Sequence, residues 1–100
     1  MILEIADIRI HTGHNAAFDE AIARGLRTVV SGAHGFRTAS VHHCMETPER
    51  YVLQIQWDTL EDHTIGFRQS EAFTQWRGIV GPFFAGPPLV EHFQLLLDGV

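Results

Sequence analysis

The sequence predicts an α+β domain whose elements follow the order β-α-β-β-α-β. Three observations support this prediction: residues alternate in character at 2–10 and 51–57, apolar side chains recur every three or four positions between 16 and 30, and a short turn joins the second and third predicted strands. Alternation is typical of a half-buried strand, whereas apolar residues three or four apart share one face of a helix. A chain of 100 residues is long enough for one domain, predicted to span residues 1–100.

The first predicted strand covers residues 2–10 and is followed by a helix. The apolar face of this strand is formed by Ile2, Ala6, Ile8 and Ile10. Asn15 is expected to cap a helix that runs from residue 16 to about residue 30. The apolar face of that helix is formed by Phe18, Ile22, Leu26 and Val29. Gly32 and Gly35 are expected to end it.

A hairpin is predicted next, because residues 36–45 and 51–57 read as strands and only a short turn with Pro48 separates them. Asp58 or Thr59 then caps a short helix, with an acidic residue three positions further on.

The second helical region is predicted in two parts. Ser70 begins its second part, which is expected to end near residues 81–82, and residues 89–97 form the last strand. Two nested βαβ units of this kind give a four-stranded antiparallel sheet with helices on one face, the ferredoxin-like arrangement.

The helix-free face of such a sheet requires a cover. The chain is 45% hydrophobic and only 19% charged, which is a large apolar area for so small a body. Large exposed apolar patches are uncommon on soluble monomers. A second copy of the chain is therefore the simplest cover, and a homodimer through the sheet face is expected.

Charge and cysteine content exclude several classes of function. The net charge is −5, and the seven basic residues, all arginine, form no basic stripe, so nucleic acid and anionic membranes are not expected partners. The single cysteine, Cys44, excludes an internal disulfide and suits a reducing cytoplasm. No apolar run approaches the ~18 residues of a membrane span. A cytoplasmic location is expected.

The segment "YVLQIQWDTLEDHTIGFRQSEAFTQWRGIVGPFF" and the later "VEHF" resemble the antibiotic biosynthesis monooxygenase family, as does the opening "IADIRIHTGHNAAFDEAI". The features that carry the resemblance are a strand ending in Trp57, a helix with His63 and a new start at Ser70. The resemblance implies a dimeric α/β barrel with a pocket between the sheet and the helices of each subunit. It also implies cofactor-independent oxidation of anthrones or hydroquinones by molecular oxygen, so that no cofactor is expected.

A second branch of this family degrades haem, and the sequence departs from its pattern. That branch has an Asn on the first strand, a Trp on the first short helix and a His on the second. The corresponding positions here are Ala6 or Asp7, Phe67 and Arg77. These three changes argue against haem degradation.

His63 is the predicted catalytic base. Helical spacing places it beside Leu60 and Phe67 on an inward face, where burial would keep the imidazole neutral and able to accept a phenol proton. A buried structural histidine satisfied by a hydrogen bond is the alternative. His92, on the last strand beside Val90 and Gln94, is expected to be structural or interfacial.

Arg68 and Arg77 lie at the edges of their helices' apolar faces and could stabilise a developing anion, a role assigned to Arg68. For both arginines the alternative is a surface ion pair with a carboxylate such as Asp62 or Glu71. The predicted substrate-binding walls are Trp57, Phe67, Phe73, Trp76 and Phe83. An aromatic stripe at this spacing is also typical of a core.

A metal site is not expected. Residues His42 and Cys44 share a strand face but His43 points away, so only two ligands converge. The leading hypothesis is thus a cofactor-independent monooxygenase of a small aromatic substrate. The competing hypothesis is a dimeric module that binds a small hydrophobic metabolite without catalysis.

Overall fold

The computed structural model describes all 100 residues and contains one four-stranded sheet. Its strands are β1 (Ile2–Arg9), β2 (Phe36–His43), β3 (Arg50–Trp57) and β4 (Leu89–Phe93). Two α-helices, α1 (Asn15–Thr28) and α2 (Glu71–Val80), pack on one face. A π-helix (Asp62–Phe67) precedes α2, and two short 3₁₀-helices, Val30–Gly32 and Gly81–Phe83, follow α1 and α2.

The sheet is antiparallel throughout, with the strand order β2-β3-β1-β4. This order and the sequence of elements confirm the predicted ferredoxin-like fold. The register matters for the site, because it places Glu4 of β1 between Ile55 of β3 and His92 of β4. Since directly opposed residues project to the same face, Glu4 and His92 both face the helices.

The core lies between this sheet face and the two helices. Trp57 and Phe18 are its largest fully buried side chains. Helix α1 approaches α2 closely because position 25 is glycine: a Cβ at Gly25 would lie 2.9 Å from the ring of Trp76. A larger residue there would force the two helices apart.

The predicted cap of α1 was wrong. His14 is the N-cap residue and provides no side-chain hydrogen bond, whereas Asn15 is the first residue of the helix. The Asn15 amide instead donates to the carbonyl of Pro48 at 2.7 Å and to the hydroxyl of Tyr51 at 2.8 Å. It therefore ties the helix to the β2–β3 turn.

The last strand is shorter than predicted. It ends at Phe93, and residues 94–97 are not part of the sheet. Phe93 pairs with Leu3, so a longer β4 would reach Met1 within two residues. The strand ends because its neighbour in the sheet ends.

The helix-free face carries Leu3, Ile5 and Val52, which are half-buried, beside polar residues of all four strands. No helix combines the length and apolarity that crossing a membrane would require.

Candidate functional site

Glu4 is the centre of the candidate site, and the sequence interpretation missed it. Glu4 lies on the same face of β1 as Ile2 and Ala6. It therefore projects into the core, where its exposure is only 5%. A buried carboxyl requires hydrogen-bond partners. The signal was present in the strand's alternation, which places every even position of β1 on the apolar face.

The π-helix positions His63. Its main chain shows i→i+5 bonding, with the amide of Arg68 donating to the carbonyl of His63 at 2.9 Å. Thr59 caps the turn before it, since its hydroxyl accepts from the amide of Asp62 at 3.1 Å. π-Helices are rare and are often found at functional sites. As predicted, His63 and Phe67 both point inward.

Four side chains form one polar cluster, called here the Glu4 network: Glu4, Trp57, His63 and His92. The indole N–H of Trp57 donates to Oε1 of Glu4 at 2.9 Å. Nε2 of His63 lies 3.3 Å from the same oxygen. Nδ1 of His63 lies 2.7 Å from Nε2 of His92. Nδ1 of His63 is therefore hydrogen-bonded and its Nε2 lies close to a carboxyl oxygen, and the network joins β1, β3, β4 and the π-helix.

Burial determines the charge states in this network. It lowers the pKa of His63 from 6.5 to about 4, and the positive charges of Arg68 and of protonated His92 act in the same direction. It also lowers the pKa of His92, again with help from Arg68. Burial raises the pKa of Glu4, although the Trp57 bond and Arg68 oppose that change. The histidines are consequently neutral at pH 7.

Aromatic rings pack around the network. Trp57 stacks on His63 with ring centroids 5.3 Å apart and an interplanar angle of 18°. Phe67 lies 5.7 Å from Trp57, and Phe73 meets Phe67 edge to face at 5.6 Å. These contacts bring together three of the predicted wall residues. Phe83 lies elsewhere, packed against Phe18 at 5.7 Å.

A cavity of about 330 Å³ opens between the sheet, α2 and the segment before β4. Glu4 lies in its wall, together with Trp76 and Arg77. The apolar part of the wall is formed by Ala6, Ile8, Leu53, Phe84 and Val90. His63 does not line this cavity, so Glu4 separates the predicted base from any ligand bound there.

The two candidate arginines form none of the expected surface ion pairs. Arg68 has no carboxylate partner, and its influence on Glu4 and the two histidines is through space. Arg77 extends over the ring of Phe73 at 5.8 Å, a cation–π contact, and lines the cavity. Both cations are thus available to an anionic group.

A larger cleft of about 510 Å³ lies between α1 and β2. Tyr51 in its wall donates to Asp19 at 2.6 Å, and Arg37 is paired with Asp58. No buried carboxyl or histidine faces this cleft. The smaller cavity is therefore the better candidate for chemistry, because it alone contacts the Glu4 network.

Comparison with known proteins agrees with this architecture. The sequence profile of the family described as "Antibiotic biosynthesis monooxygenase" matches residues 1–78. The chain belongs to this family. Among antibiotic biosynthesis monooxygenase structures, one from Bordetella bronchiseptica has 38% sequence identity to this chain and a TM-score of 0.91, with 96% of this chain and 97% of that chain covered.

Two further comparisons extend this result. The uncharacterized protein YczJ of Bacillus subtilis is 39% identical over 94 residues, covering 94% of this chain and 98% of that protein. SnoaB from Streptomyces nogalater, a cofactor-independent oxygenase, has a TM-score of 0.81 at 13% identity, with 97% of this chain and 94% of SnoaB covered. At that low identity, the structural match with SnoaB shows a shared fold alone. Membership of the antibiotic biosynthesis monooxygenase family therefore rests on the profile and on the closer relatives.

Proposed function

We propose that this chain is a cofactor-independent monooxygenase of a small aromatic phenol, such as a hydroquinone or an anthrone in its enol form. The observation that carries the proposal is the buried carboxyl of Glu4, which lines an apolar cavity and lies 3.3 Å from a neutral histidine. A carboxylate–imidazole pair next to an apolar cavity can accept a proton from a bound phenol. Family membership supports the same reaction class.

The reaction balances without a cofactor. Deprotonation gives an electron-rich phenolate or enolate, which transfers electrons to molecular oxygen and forms a C–O bond. One oxygen atom stays in the product as a quinone or hydroxyl oxygen. The other leaves as water, which also takes up the two hydrogens that the substrate loses.

The proposed roles of the side chains follow the geometry. His63, the base expected from the sequence, would act together with Glu4. Arg68 would stabilise negative charge through space, because its field already acts on the Glu4 network. Trp76 lines the cavity and would contact the ring of the substrate. Binding roles for Trp57, Phe67, Phe73 and Phe83 stay predictions, since none of them lines the cavity.

The test is oxygen uptake by purified, metal-free protein with a panel of hydroquinones and anthrones. Replacement of His63 by alanine is expected to lower turnover by ~10²-fold or more, the usual contribution of a general base. His11→Ala is the matched control, because His11 is exposed and only its main chain forms a hydrogen bond. Full activity of the His63→Ala variant would contradict the assignment.

A binding module without catalysis is the second candidate, and one observation favours it. Every buried polar side-chain atom has a hydrogen-bond partner within the chain, as in a network that only shapes the cavity wall. Tight binding of a small hydrophobic compound, measured by calorimetry and without oxygen consumption, would select this candidate. Oxygen uptake above the autoxidation rate would exclude it.

The proposal includes a homodimer through the helix-free face of the sheet, in a cytoplasmic setting. Ile5→Lys, at the middle of this face, is expected to convert the dimer of 11.3-kDa chains to monomers, because a cation would be buried without a partner. Sedimentation velocity would measure the mass. Thr74→Lys, on the exposed surface of α2, is the control, and equal masses for both variants would contradict the proposed interface.

A further inference from the structure

We propose that Glu4, His63 and His92 form a proton relay from the cavity to solvent, with Glu4 as the catalytic residue that meets the substrate. His63 and His92 are then relay and positioning residues. The inference rests on the proposed function and deepens it, since it names the group that exchanges a proton with the substrate.

The order of the three groups in space defines the relay. Glu4 lines the cavity, whereas His63 is only 4% exposed and lines no cavity. His92 is half-buried on β4, an edge strand, and retains contact with solvent. The separations along the path are 3.3 Å from Glu4 to His63 and 2.7 Å from His63 to His92. A proton can therefore pass from the cavity to solvent across the close Glu4–His63 contact and the hydrogen bond between the two histidines.

The hydrogen-bond chemistry allows two protonation patterns. Between Nδ1 of His63 and Nε2 of His92 one nitrogen donates and the other accepts, since both rings are neutral. In the inward pattern Glu4 is ionised, and each histidine carries its proton on Nε2. In the outward pattern Glu4 is protonated and donates to Nε2 of His63, and each histidine carries its proton on Nδ1.

One coupled shift of three protons converts one pattern into the other, and every proton is accounted for. Starting from the outward pattern, the Glu4 proton moves to Nε2 of His63, the Nδ1 proton of His63 moves to Nε2 of His92, and the Nδ1 proton of His92 moves to water. The result is the inward pattern with one proton released. An ionised Glu4 can then accept a phenol proton and return it to the oxygen atom that leaves as water.

The charges around the relay favour passage through neutral rings. Arg68 is the cation that acts on all three groups, and its field disfavours an imidazolium at either histidine while favouring the Glu4 carboxylate. Trp57 can only donate, so its bond also favours an acceptor oxygen at Glu4. Arg77 faces the cavity from α2. A coupled shift avoids a charged ring in this setting.

Turnover of two variants tests the relay. In Glu4→Gln the amide oxygen can accept the same two N–H groups, but it cannot take up a proton. Its turnover is expected to fall by ~10²–10⁴-fold. In His92→Ala kcat is expected to fall about tenfold, with KM unchanged because His92 does not line the cavity. Imidazole added to the solution should restore the His92→Ala variant but leave Glu4→Gln inactive.

Nitrogen NMR tests the relay without any substrate. In the wild-type dimer the ¹⁵N shifts of His63 and His92 are expected to switch between the Nε2–H and Nδ1–H forms in one shared pH transition. In Glu4→Gln that transition should be absent, and both rings should stay in the Nε2–H form. His11 provides an exposed reference histidine outside the network.

The outcomes separate the relay from the proposed function. A shared NMR transition without oxygen uptake would retain the proton path but contradict the oxygenase. Oxygen uptake with independent titration of the two histidines, or a His92→Ala variant with wild-type kcat, would overturn the relay. Glu4→Gln with wild-type turnover would overturn Glu4 as the catalytic residue.

Discussion

Replacement of Trp57 by alanine is expected to lower the free energy of unfolding by about 4 kcal/mol, in the range for large aromatic residues of a core. Trp57 is fully buried. Its ring contacts His63, Phe36 and Phe67, and its indole N–H donates to Glu4. The substitution would leave both a cavity and a buried carboxyl with one donor fewer. Denaturant unfolding, followed by far-ultraviolet circular dichroism, measures the loss.

Trp57→Phe separates the two parts of this effect. It keeps an aromatic ring in the core and removes the donor to Glu4, so a loss of about 2 kcal/mol is expected. Equal stability of Trp57→Phe and the wild-type protein would show that the hydrogen bond contributes nothing. A loss below about 1 kcal/mol in Trp57→Ala would contradict the central packing role of this residue.

The second large effect is a loss of stability at acidic pH. The pKa of His63 is lowered from 6.5 to about 4 in the folded chain, so the unfolded chain binds the extra proton first. Stability contributed by His63 is therefore complete above pH 6.5 and is lost as the pH falls from 6.5 towards 4. The loss should approach about 2 kcal/mol, less than the full shift implies because water reaches the edge of the site. The lowered pKa of His92 acts with the same sign.

The raised pKa of Glu4 changes the pH dependence of stability in the opposite direction. Its folded pKa is raised, so its contribution is present below its unfolded value of 4.5 and is lost as the pH rises through the raised value. Glu4→Gln removes this opposition. The variant should lose stability more steeply than the wild type on acidification from pH 7 to pH 4.5, as measured by unfolding at each pH.

His63→Phe is the companion variant for this prediction. It replaces the buried imidazole with a ring that does not titrate, and its stability should vary less between pH 6.5 and pH 4.5 than that of the wild type. Identical pH profiles for the wild type, Glu4→Gln and His63→Phe would contradict the assigned charge states.

The fold was predictable because its signals are local. The alternation of side-chain character predicted β1 and β3, and four-residue spacing predicted the apolar face of α1. Ser70 caps α2, with its hydroxyl accepting from the amide of Phe73 at 3.3 Å. The end of β4 was not predictable in the same way. It depends on how far β1 extends beside it, which is a property of the strand register and not of residues 94–97.

The site was only partly predictable, for a related reason. The inward orientation of His63 follows from helical spacing, and it was confirmed. The contacts of His63 with Glu4 and His92 depend on strand pairing across positions far apart in the chain. The i→i+5 main-chain bonding around His63 has no sequence signature of its own. The candidate site combines side chains from three strands and a π-helix, so its composition can be known only from the folded sheet.

Both tryptophans of the chain belong to this region: Trp57 is bonded to Glu4, and Trp76 lines the cavity. The tryptophan fluorescence of the protein therefore comes entirely from the two places where ionisation and ligand binding would occur. Trp57 emission should follow the charge on Glu4, and Trp76 emission should follow occupancy of the cavity. The molecule carries its own optical reporters, so compounds can be screened for binding without a label and before the substrate has been identified.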